Sequence, residues 1–174
     1  MQDLSTHILD VAENATAAGA TLIEIRLAKE SARDRLELVI RDNGHGMDDE
    51  MARRARDPFV TSRTTRRVGL GLPLLEQSAR EAEGDLSIVS KPGQGTEVTA
   101  VFKASHIDLK PVGDFGATVV SLILGAPDVD FVFDREEDGE VAHLDTRELR
   151  RELEGTPLSD PRVLAWARSQ FERA

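Results

Sequence analysis

The sequence predicts an α+β protein: one mixed, mostly antiparallel sheet with helices packed on one face, followed by a small α+β C-terminal extension. Two kinds of periodicity carry this prediction. Apolar residues recur at three- and four-residue steps in some segments, which is helical spacing, and alternate with polar residues in others, which is typical of half-buried strands. Through residue 104 the segments run helix, two strands, helix, open loop, helix and two strands. That order favours helices layered on a single sheet.

The first part of the chain justifies this order element by element. Residues 3 to 18 predict a helix that ends at Gly19, because one stripe of apolar residues follows the helical period: Leu4, Ile8, Val11, Ala15 and Ala18. Residues 21 to 28 and 36 to 40 alternate apolar and polar side chains like strands, with the charged turn KESARDR between them. After the glycine-containing stretch RDNGHGMDDE, residues 48 to 56 predict a short helix.

The middle of the chain contains a long irregular stretch, DPFVTSRTTRRVGLG. Loops of this length without structure of their own are usually functional or disordered. Residues 72 to 84 then predict an amphipathic helix with Pro73 in its first turn and Gly84 past its end. Residues 85 to 104 predict two strands around a glycine-rich hairpin.

Two domains are predicted: residues 1 to 104, and a separate α+β unit over residues 105 to 174. In the second, an apolar helix over 114 to 124 needs a surface to bury against, either the first sheet or a second copy of the chain. The segments VDFVF and EVAHL are expected to pair across DREEDG, and helices follow at 146 to 154 and 161 to 172. Partner recognition or dimerisation is the expected role of this unit.

The composition of the 174-residue chain is that of a soluble globular protein, with 40% apolar and 31% charged residues. Disulfides and thiolate metal sites are excluded because the chain has no cysteine, and a cytoplasmic location is therefore expected. No apolar run approaches the ~20 residues of a membrane span. The formal net charge of −10 argues against nucleic-acid binding, which needs a basic surface.

Asp10 and Asn14 are the first candidate site residues. They lie one helical turn apart and therefore share a row that borders the apolar stripe. Carboxylate and amide oxygens suit a hard cation such as Mg²⁺, which prefers to share substrate phosphates. Taken alone, the pair is better explained as two solvated polar residues than as a metal site.

Asp42 is the second candidate, because it ends a predicted strand directly before Gly44 and Gly46. Glycines let the backbone approach a ligand closely. A carboxylate at that strand end could accept a hydrogen bond from an exocyclic amine such as the N6 group of adenine. The alternative is an ordinary turn, since Asn43-Gly44 is a strong turn signal.

Gly69 and Gly71 form the third candidate, because they stand directly before a helix. Backbone N–H groups at a helix N-terminus bind anions, and flanking arginines would add positive charge: Arg63, Arg66 and Arg67. The segment is neither a complete dinucleotide fingerprint, because Leu74 replaces the third glycine, nor a phosphate-binding Walker loop, because the chain has no Gly-Lys step.

The set of motifs resembles the ATP-binding domain of the GHKL superfamily, which includes DNA gyrase, the ninety-kilodalton chaperones, histidine kinases and MutL repair proteins. DVAENATAAGAT resembles the family's N box, RDNGHGMD its first glycine box and DPFVTSRTT the head of its ATP lid. VGLGL resembles the second glycine box and GQGTEV the final one. The resemblance covers about residues 5 to 104 and implies an α/β sandwich of the Bergerat type.

The resemblance also implies ATP and Mg²⁺ as cofactors, with a role at each matching position. Asn14 would hold Mg²⁺, Asp42 would accept from adenine N6, and Thr96 would support Asp42 from the facing strand. Asp10 would stand beside the γ-phosphate as a candidate general base. The remaining expected contacts with the nucleotide are Gly44, His45, Gly46 and Met47 at the adenine, and Arg63, Gly69, Leu70 and Gly71 at the triphosphate, with the loop of residues 57 to 68 closing over it.

Two departures from the family pattern bear on activity. Asp10 occupies the position where hydrolysing members carry glutamate, so its carboxylate reaches about one methylene less far toward a substrate. Arg67 stands where sensor kinases usually have a glycine, and in this it is more similar to the serine-kinase anti-sigma factors.

The leading functional hypothesis is a stand-alone Mg-ATP-binding, histidine-kinase-like protein that phosphorylates a separate regulatory partner. A phosphoacceptor helix pair is not expected before the N box, and His7 is expected on the surface of the first helix. One alternative is a non-catalytic switch whose binding to a partner depends on ATP. A MutL-like repair ATPase is disfavoured, because that family carries a further transducer domain. The expected partner is a protein, with a homodimer as a further possibility and neither nucleic acid nor membrane involved.

Overall fold

The computed structural model describes residues 3–59 and 70–172. The helices in these ranges are α1 (Leu4–Ala17), α2 (Asp49–Ala55), α3 (Gly71–Glu81), α4 (Phe115–Gly125), α5 (Thr146–Glu152) and α6 (Pro161–Ser169). The strands are β1 (Leu22–Glu30), β2 (Arg35–Asp42), β3 (Asp85–Lys91), β4 (Gly95–Lys103), β5 (Asp130–Glu137) and β6 (Glu140–Asp145). Within the described residues, no helix has the length and apolar character needed to cross a membrane.

All six strands form one sheet in the order β3-β4-β2-β1-β5-β6. Neighbouring strands are antiparallel except β1 and β5, which are parallel. The predicted mixed, mostly antiparallel sheet is therefore confirmed, together with the α+β class.

The segment beyond residue 104 contributes strands to the same sheet, because β5 pairs with β1. It pairs with β1 from Leu22 opposite Asp130 to Lys29 opposite Glu137. Without β5, the amide and carbonyl groups along one side of β1 would be left as an open sheet edge, and the parallel pairing satisfies them. The position of a domain boundary near residue 104 stays a prediction, but the sheet does not break there.

The β5–β6 hairpin forms as predicted around Asp138 and Gly139. Both residues have positive φ, at 50° and 93°. This is the conformation of the two-residue turn whose twist matches that of the flanking strands. The Asp138 carboxylate also accepts hydrogen bonds from the amide and hydroxyl of Ser31, at 2.7 Å each, which ties the hairpin to the end of β1.

One continuous core lies between the helices and one face of the sheet. The sheet contributes alternate strand residues to this core. On β5 these are Phe131 and Phe133, whose buried rings stack with their centres 5.4 Å apart. Phe115 of α4 and Phe171, just after α6, pack edge to face at 5.2 Å, and Phe171 also meets Phe133 at 6.4 Å. The apolar helix α4 therefore buries against this core, which is the first of the two surfaces that the sequence left open.

The opposite face of the sheet carries ion pairs. Arg26 on β1 contacts Glu37 on β2 at 3.3 Å and Glu136 on β5 at 2.8 Å. Arg41 contacts Glu97 on β4, with Nε 2.7 Å from Oε2. These side chains alternate with the buried ones along each strand, so the amphipathic pattern of the strands places the helices on one face.

His7 is buried, with 2% of its surface exposed, and the prediction that it lies on the helix surface is wrong. The cause is a crossing segment at the start of α1: the amides of Leu4 and Ser5 donate to the carbonyls of Pro111 and Val112, at 2.9 and 3.0 Å. Burial lowers the pKa of His7, which keeps the imidazole neutral. Its spacing from Leu4, three residues earlier in the apolar stripe, was the overlooked signal.

Candidate functional site

The first turn of α3 lies against the polar row of α1. A methyl group at Gly71 would be 3.1 Å from Asp10 Cβ and 3.7 Å from Asn14 Nδ2. The absence of a side chain at Gly71 therefore allows the N-terminus of α3 to approach both residues. The third motif of the sequence meets the first, as the resemblance implies.

The first glycine segment packs against the end of α1. The His45 amide donates to the Ala18 carbonyl at 2.9 Å, and a methyl group at Gly44 would lie 2.8 Å from that same oxygen. The neighbouring Asn43 has a structural role, because its side-chain oxygen accepts from the amides of Thr21 and Leu22, at 2.8 and 3.0 Å. The turn after β2 is thereby fixed against both α1 and the start of β1.

The same segment also packs against the β3–β4 hairpin through two glycines with positive φ. A methyl group at Gly46 (φ 67°) would lie 2.0 Å from the Lys91 carbonyl oxygen. One at Gly95 (φ 82°) would lie 1.9 Å from the Asp42 carbonyl oxygen. Both the backbone conformation and the closeness exclude a side chain at these positions. The final glycine motif thus meets the first glycine segment.

Asp42 lies at the centre of this arrangement, at the end of β2 and opposite Thr96 of β4. Its Oδ1 accepts from the Gly44 amide at 2.8 Å. Partial burial raises the pKa of the Asp42 carboxyl, while hydrogen bonds from the amides of Gly44 and Thr96 and the nearby His45 oppose that rise. A carboxylate removed from water in this way gains from a ligand that brings a hydrogen-bond donor.

Ser90 is a site residue that the sequence analysis missed. Its hydroxyl accepts from the Met47 amide at 2.8 Å, donates to the Gly95 carbonyl at 3.0 Å and lies 2.8 Å from Thr96 Oγ1. Ser90 therefore joins the first glycine segment, the hairpin and the residue beside Asp42. Its role could have been found from the pairing of the two strands. Once β3 and β4 are aligned as a hairpin, Ser90 stands directly opposite Thr96.

Asp10 and Asn14 are both half-buried on α1. Among the described residues, no hydrogen bond to either side chain is present. Likewise, within those residues no group of three or more histidine, aspartate or glutamate side chains could hold a metal ion by itself. A cation at Asn14 would therefore need further ligands from a bound substrate.

The other predicted contacts have mixed outcomes. Leu70 is exposed and precedes α3, where its carbonyl accepts from the Leu74 amide at 2.9 Å. His45 is exposed, with Nδ1 2.8 Å from the Gly46 carbonyl oxygen. Arg63, Gly69 and most of the loop of residues 57 to 68 lie outside the described residues.

An ion-pair cluster around the buried Glu76 joins the helices on either side of that loop. Glu76 of α3 accepts two hydrogen bonds from Arg56, at 2.6 and 3.2 Å, and one from Arg80 at 2.6 Å. The bonds from Arg56 hold the pKa of the Glu76 carboxyl below its ordinary value. Arg56 directly follows α2, so the cluster fixes the end of α2 to α3.

Comparisons with known proteins agree with this geometry. The tetrathionate sensor histidine kinase TtrS of Salmonella typhimurium is 32% identical over 103 residues, covering 57% of this chain and 17% of its own length. The sensor protein kinase FleS of Pseudomonas aeruginosa is 36% identical over 94 residues, covering 54% of this chain and 23% of its own. This chain thus spans about a fifth of the length of these relatives.

A likeness to a solved structure supports the fold. The Aquifex aeolicus MutL ATPase domain complexed with ADP aligns with a TM-score of 0.52 at 17% identity, covering 90% of this chain and 70% of that one. The sequence profile of the family described as "Histidine kinase-, DNA gyrase B-, and HSP90-like ATPase" matches residues 1–106. The chain therefore belongs to this ATPase family, the GHKL superfamily, through its first 106 residues.

Proposed function

We propose that the protein binds Mg-ATP between α1, the end of β2 and the N-terminus of α3. The observation that carries this proposal is the convergence of the motifs: Gly71 against Asp10 and Asn14, and Gly95 against Asp42. Family membership implies nucleotide binding, and these contacts supply the site where this chain would do it.

At the adenine end, Asp42 would accept a hydrogen bond from the exocyclic amine. The residues fit this role, because the half-buried carboxylate keeps an acceptor oxygen and the surrounding turn has no side chains at Gly44 and Gly46. Thr96 would hold Asp42 and a water molecule in place, and Ser90 would orient Thr96. The Met47 amide donates to Ser90, and the Met47 side chain would pack at the same end of the site.

At the phosphate end, Asn14 would supply one oxygen ligand to Mg²⁺, with phosphate oxygens completing the coordination. The amides in the first turn of α3 face no intrahelical partner, and the helix dipole favours an anion there. Leu70 and Gly71 lie at this position. Arg63 and Gly69 stay predictions for the same end of the nucleotide.

We further propose that the protein is a kinase acting on a separate regulatory protein, to which bound ATP would supply the phosphoryl group. The support is the identity of 32–36% with sensor kinases over the nucleotide-binding segment. Asp10 would accept the proton released by the attacking group, as the carboxylate one helical turn before Asn14 on the same side of α1. A cytoplasmic location belongs to this proposal and rests on the absence of cysteine.

A specific observation favours one alternative, a switch that binds ATP without turnover. Asp10 has a short side chain, and its Cβ lies against the backbone of Gly71, which limits the reach of its carboxylate. In that case ATP would order a surface that a partner recognises. The likeness to MutL extends to the fold alone, so a role in repair is not proposed.

Phosphotransfer from labelled ATP to co-purified partner proteins separates the kinase from the switch. Asp10→Asn is the informative variant, because it keeps the size of the side chain and removes the base. If the kinase proposal is right, the variant binds ATP normally and loses transfer by roughly 100-fold or more. ATP-dependent association that wild type and Asp10→Asn share, without label on the partner, would support the switch and contradict the kinase.

A further inference from the structure

The two edges of the sheet are protected differently. The edge strand β3 is covered by Arg56, whose Nη2 donates to the Leu86 carbonyl at 3.2 Å. Arg56 also forms an ion pair with Glu76 at 2.6 Å, which holds its side chain over the edge of β3. A side chain that occupies outward-facing carbonyls blocks the addition of another strand.

At the opposite edge, no side chain among the described residues covers the outward backbone groups of β6. Outside its ladder with β5, none of them donates or accepts a hydrogen bond at the backbone of residues 140 to 144. The strand contains neither proline nor lysine, and its register with β5 is unbroken from Val132 opposite Asp145 to Glu137 opposite Glu140. Of the devices that prevent edge pairing, β6 therefore lacks a covering side chain, proline, lysine and a bulge, and its carboxylates are confined to its two ends, at Glu140 and Asp145.

The geometry of the hairpin shows which backbone groups of β6 face outward. Because its turn contains two residues, Glu137 and Glu140 form the closing hydrogen-bonded pair. Hydrogen-bonded and non-bonded pairs alternate along an antiparallel ladder. The amides and carbonyls of Val141 and His143 consequently point away from β5. The side chain of Val141 is 61% exposed on the charged face of the sheet, where an apolar residue gains from being covered.

We propose that β6 pairs with β6 of a second copy of this chain, antiparallel, about a two-fold axis perpendicular to the sheet that runs midway between the two copies of Ala142. Such an axis does not turn the sheet over, so side chains on the same face of the two β6 strands stand opposite each other. Odd-numbered residues therefore pair with odd-numbered residues of the partner subunit, and even-numbered with even-numbered. With Ala142 on the axis, Val141 stands opposite the partner subunit's His143, and both contribute outward amides and carbonyls. The two symmetric pairs form four hydrogen bonds.

The neighbouring registers of the same symmetry are less complementary. An axis through His143 places two imidazoles opposite each other and sets Val141 against the carboxylate of Asp145. An axis through Val141 sets His143 against Gly139, which lies in the turn. The register centred on Ala142 covers Val141 with an imidazole ring and places no like charges opposite each other, which would be destabilising. This self-complementarity favours a second copy over an unrelated extended peptide.

The expected dimer is weak and depends on protein concentration. Pairing of five residues per chain buries much less surface than the ~1,600 Å² of a standard interface. The interface lies on β6, away from Asp42 and Asn14, so nucleotide is not required for it. Failure of the dimer would therefore leave the ATP-binding proposal untouched.

Cross-linking through single cysteines tests the register, because the natural chain has no cysteine. Across a non-hydrogen-bonded pair the Cα atoms are about 4.5 Å apart, within disulfide range. Ala142→Cys, on the axis, is expected to form a covalent dimer under mild oxidation about tenfold faster than Val141→Cys. Val141 is the more exposed residue but stands opposite the partner subunit's His143. Cross-linking by random collision would therefore be faster for Val141→Cys than for Ala142→Cys, and that result would overturn the proposal.

Sedimentation velocity over a wide concentration range tests the dimer itself. Wild-type protein is expected to shift from monomer to dimer as its concentration rises, while Val141→Pro stays monomeric. The proline removes an outward N–H that has no partner among residues 3–59 and 70–172, so the hairpin keeps its ladder. Circular dichroism checks that Val141→Pro folds. If it does not fold, the cross-linking rates of Ala142→Cys and Val141→Cys test the proposal without it. Wild-type protein that stays monomeric at every concentration would contradict the proposal.

Discussion

The glycines of the predicted binding motifs and the glycines that end helices or form the hairpin turn in the following part have different surroundings. In the first part, a methyl group at any of four motif glycines would approach another group within 3.1 Å: Gly44, Gly46, Gly71 and Gly95. In the second part, methyl groups at Gly113 and Gly116 would also be close to other groups, at 2.4 and 2.9 Å, but the glycines that end helices or form the hairpin turn have nothing within 4 Å: Gly125, Gly139 and Gly155. The first set allows separate segments to meet around one site, whereas the second ends helices and turns. The site therefore depends on the first part of the chain, although both parts share one sheet and one core.

Phe133→Ala tests that shared core and has the largest expected effect. Its ring is fully buried, stacks on Phe131 and meets Phe171. Truncation is expected to lower the free energy of unfolding by about 3–5 kcal/mol, in a single transition. Urea denaturation followed by circular dichroism measures this, with Phe102→Ala on β4 as the matched variant of similar cost. Two separate transitions, with β1–β4 unaffected, would show that the two parts fold independently.

Gly95→Ala and Gly125→Ala test the difference in glycine use directly. At Gly95 the added methyl meets the Asp42 carbonyl at 1.9 Å in a positive-φ conformation, which predicts a loss of about 2 kcal/mol or more in unfolding free energy. At Gly125 the methyl enters open space, and a change within ~0.5 kcal/mol is expected. Equal effects in thermal denaturation would remove the distinction between the two sets of glycines.

Asp42→Asn separates binding from stability at the site. Replacing the acceptor is expected to weaken ATP binding about 10–100-fold, since hydrogen bonds to charged groups contribute roughly 1.5–3 kcal/mol. The unliganded variant should be more stable at neutral pH, because the pKa of Asp42 is raised by burial and its ionised form opposes folding. The advantage should appear as pH rises through the folded pKa and vanish below the unfolded pKa.

Asp34→Asn is the control for this change in charge. Hydrogen bonds from Ser105 lower the pKa of Asp34, so its carboxylate favours folding and its loss should reduce stability at neutral pH. ATP affinity should stay at the wild-type value, because Asp34 lies at the far end of β2. Equal losses of ATP binding in the two aspartate variants would argue against a specific role for Asp42.

Arg26→Ala has the smallest expected effect. The guanidinium contacts Glu37 and Glu136, but all three side chains are partly exposed. Ion pairs of this kind contribute about 0–1 kcal/mol and are screened by salt. Denaturation at low and high salt should show a small loss that disappears as salt rises. A loss above ~2 kcal/mol in unfolding free energy that persists at high salt would contradict this expectation. It would mean that the charged face contributes to stability on a scale closer to that of the core.

Local patterns predicted much of the fold, and the motifs supplied the candidate residues of the proposed site. The apolar stripe of α1, the alternation of β1 and the Asp138-Gly139 turn each encode structure within a few neighbouring residues. The order of the glycine motifs predicted which segments meet. The partner of β1 was not predictable in this way, because β5 lies about a hundred residues further along and its own alternation does not specify which strand it joins.

Two site-related errors have the same kind of cause. Ser90 has an ordinary polar side chain in an alternating strand, and its role follows from the cross-strand register that sets it opposite Thr96. His7 follows the helical period of the buried stripe, but its burial also depends on the crossing segment at Pro111 and Val112. Contacts between distant segments thus determine which polar residues are buried.

Isothermal titration of the folded protein with Mg-ATP is the most direct test of the proposed site. Saturable heat is expected at one site per chain, with weaker binding after Asn14→Ala or after chelation of Mg²⁺. The Asn14→Ala variant should lose its response to Mg²⁺, because the proposed oxygen ligand is gone. Heat no greater than dilution at millimolar Mg-ATP, from protein with a native circular dichroism spectrum, would contradict the account.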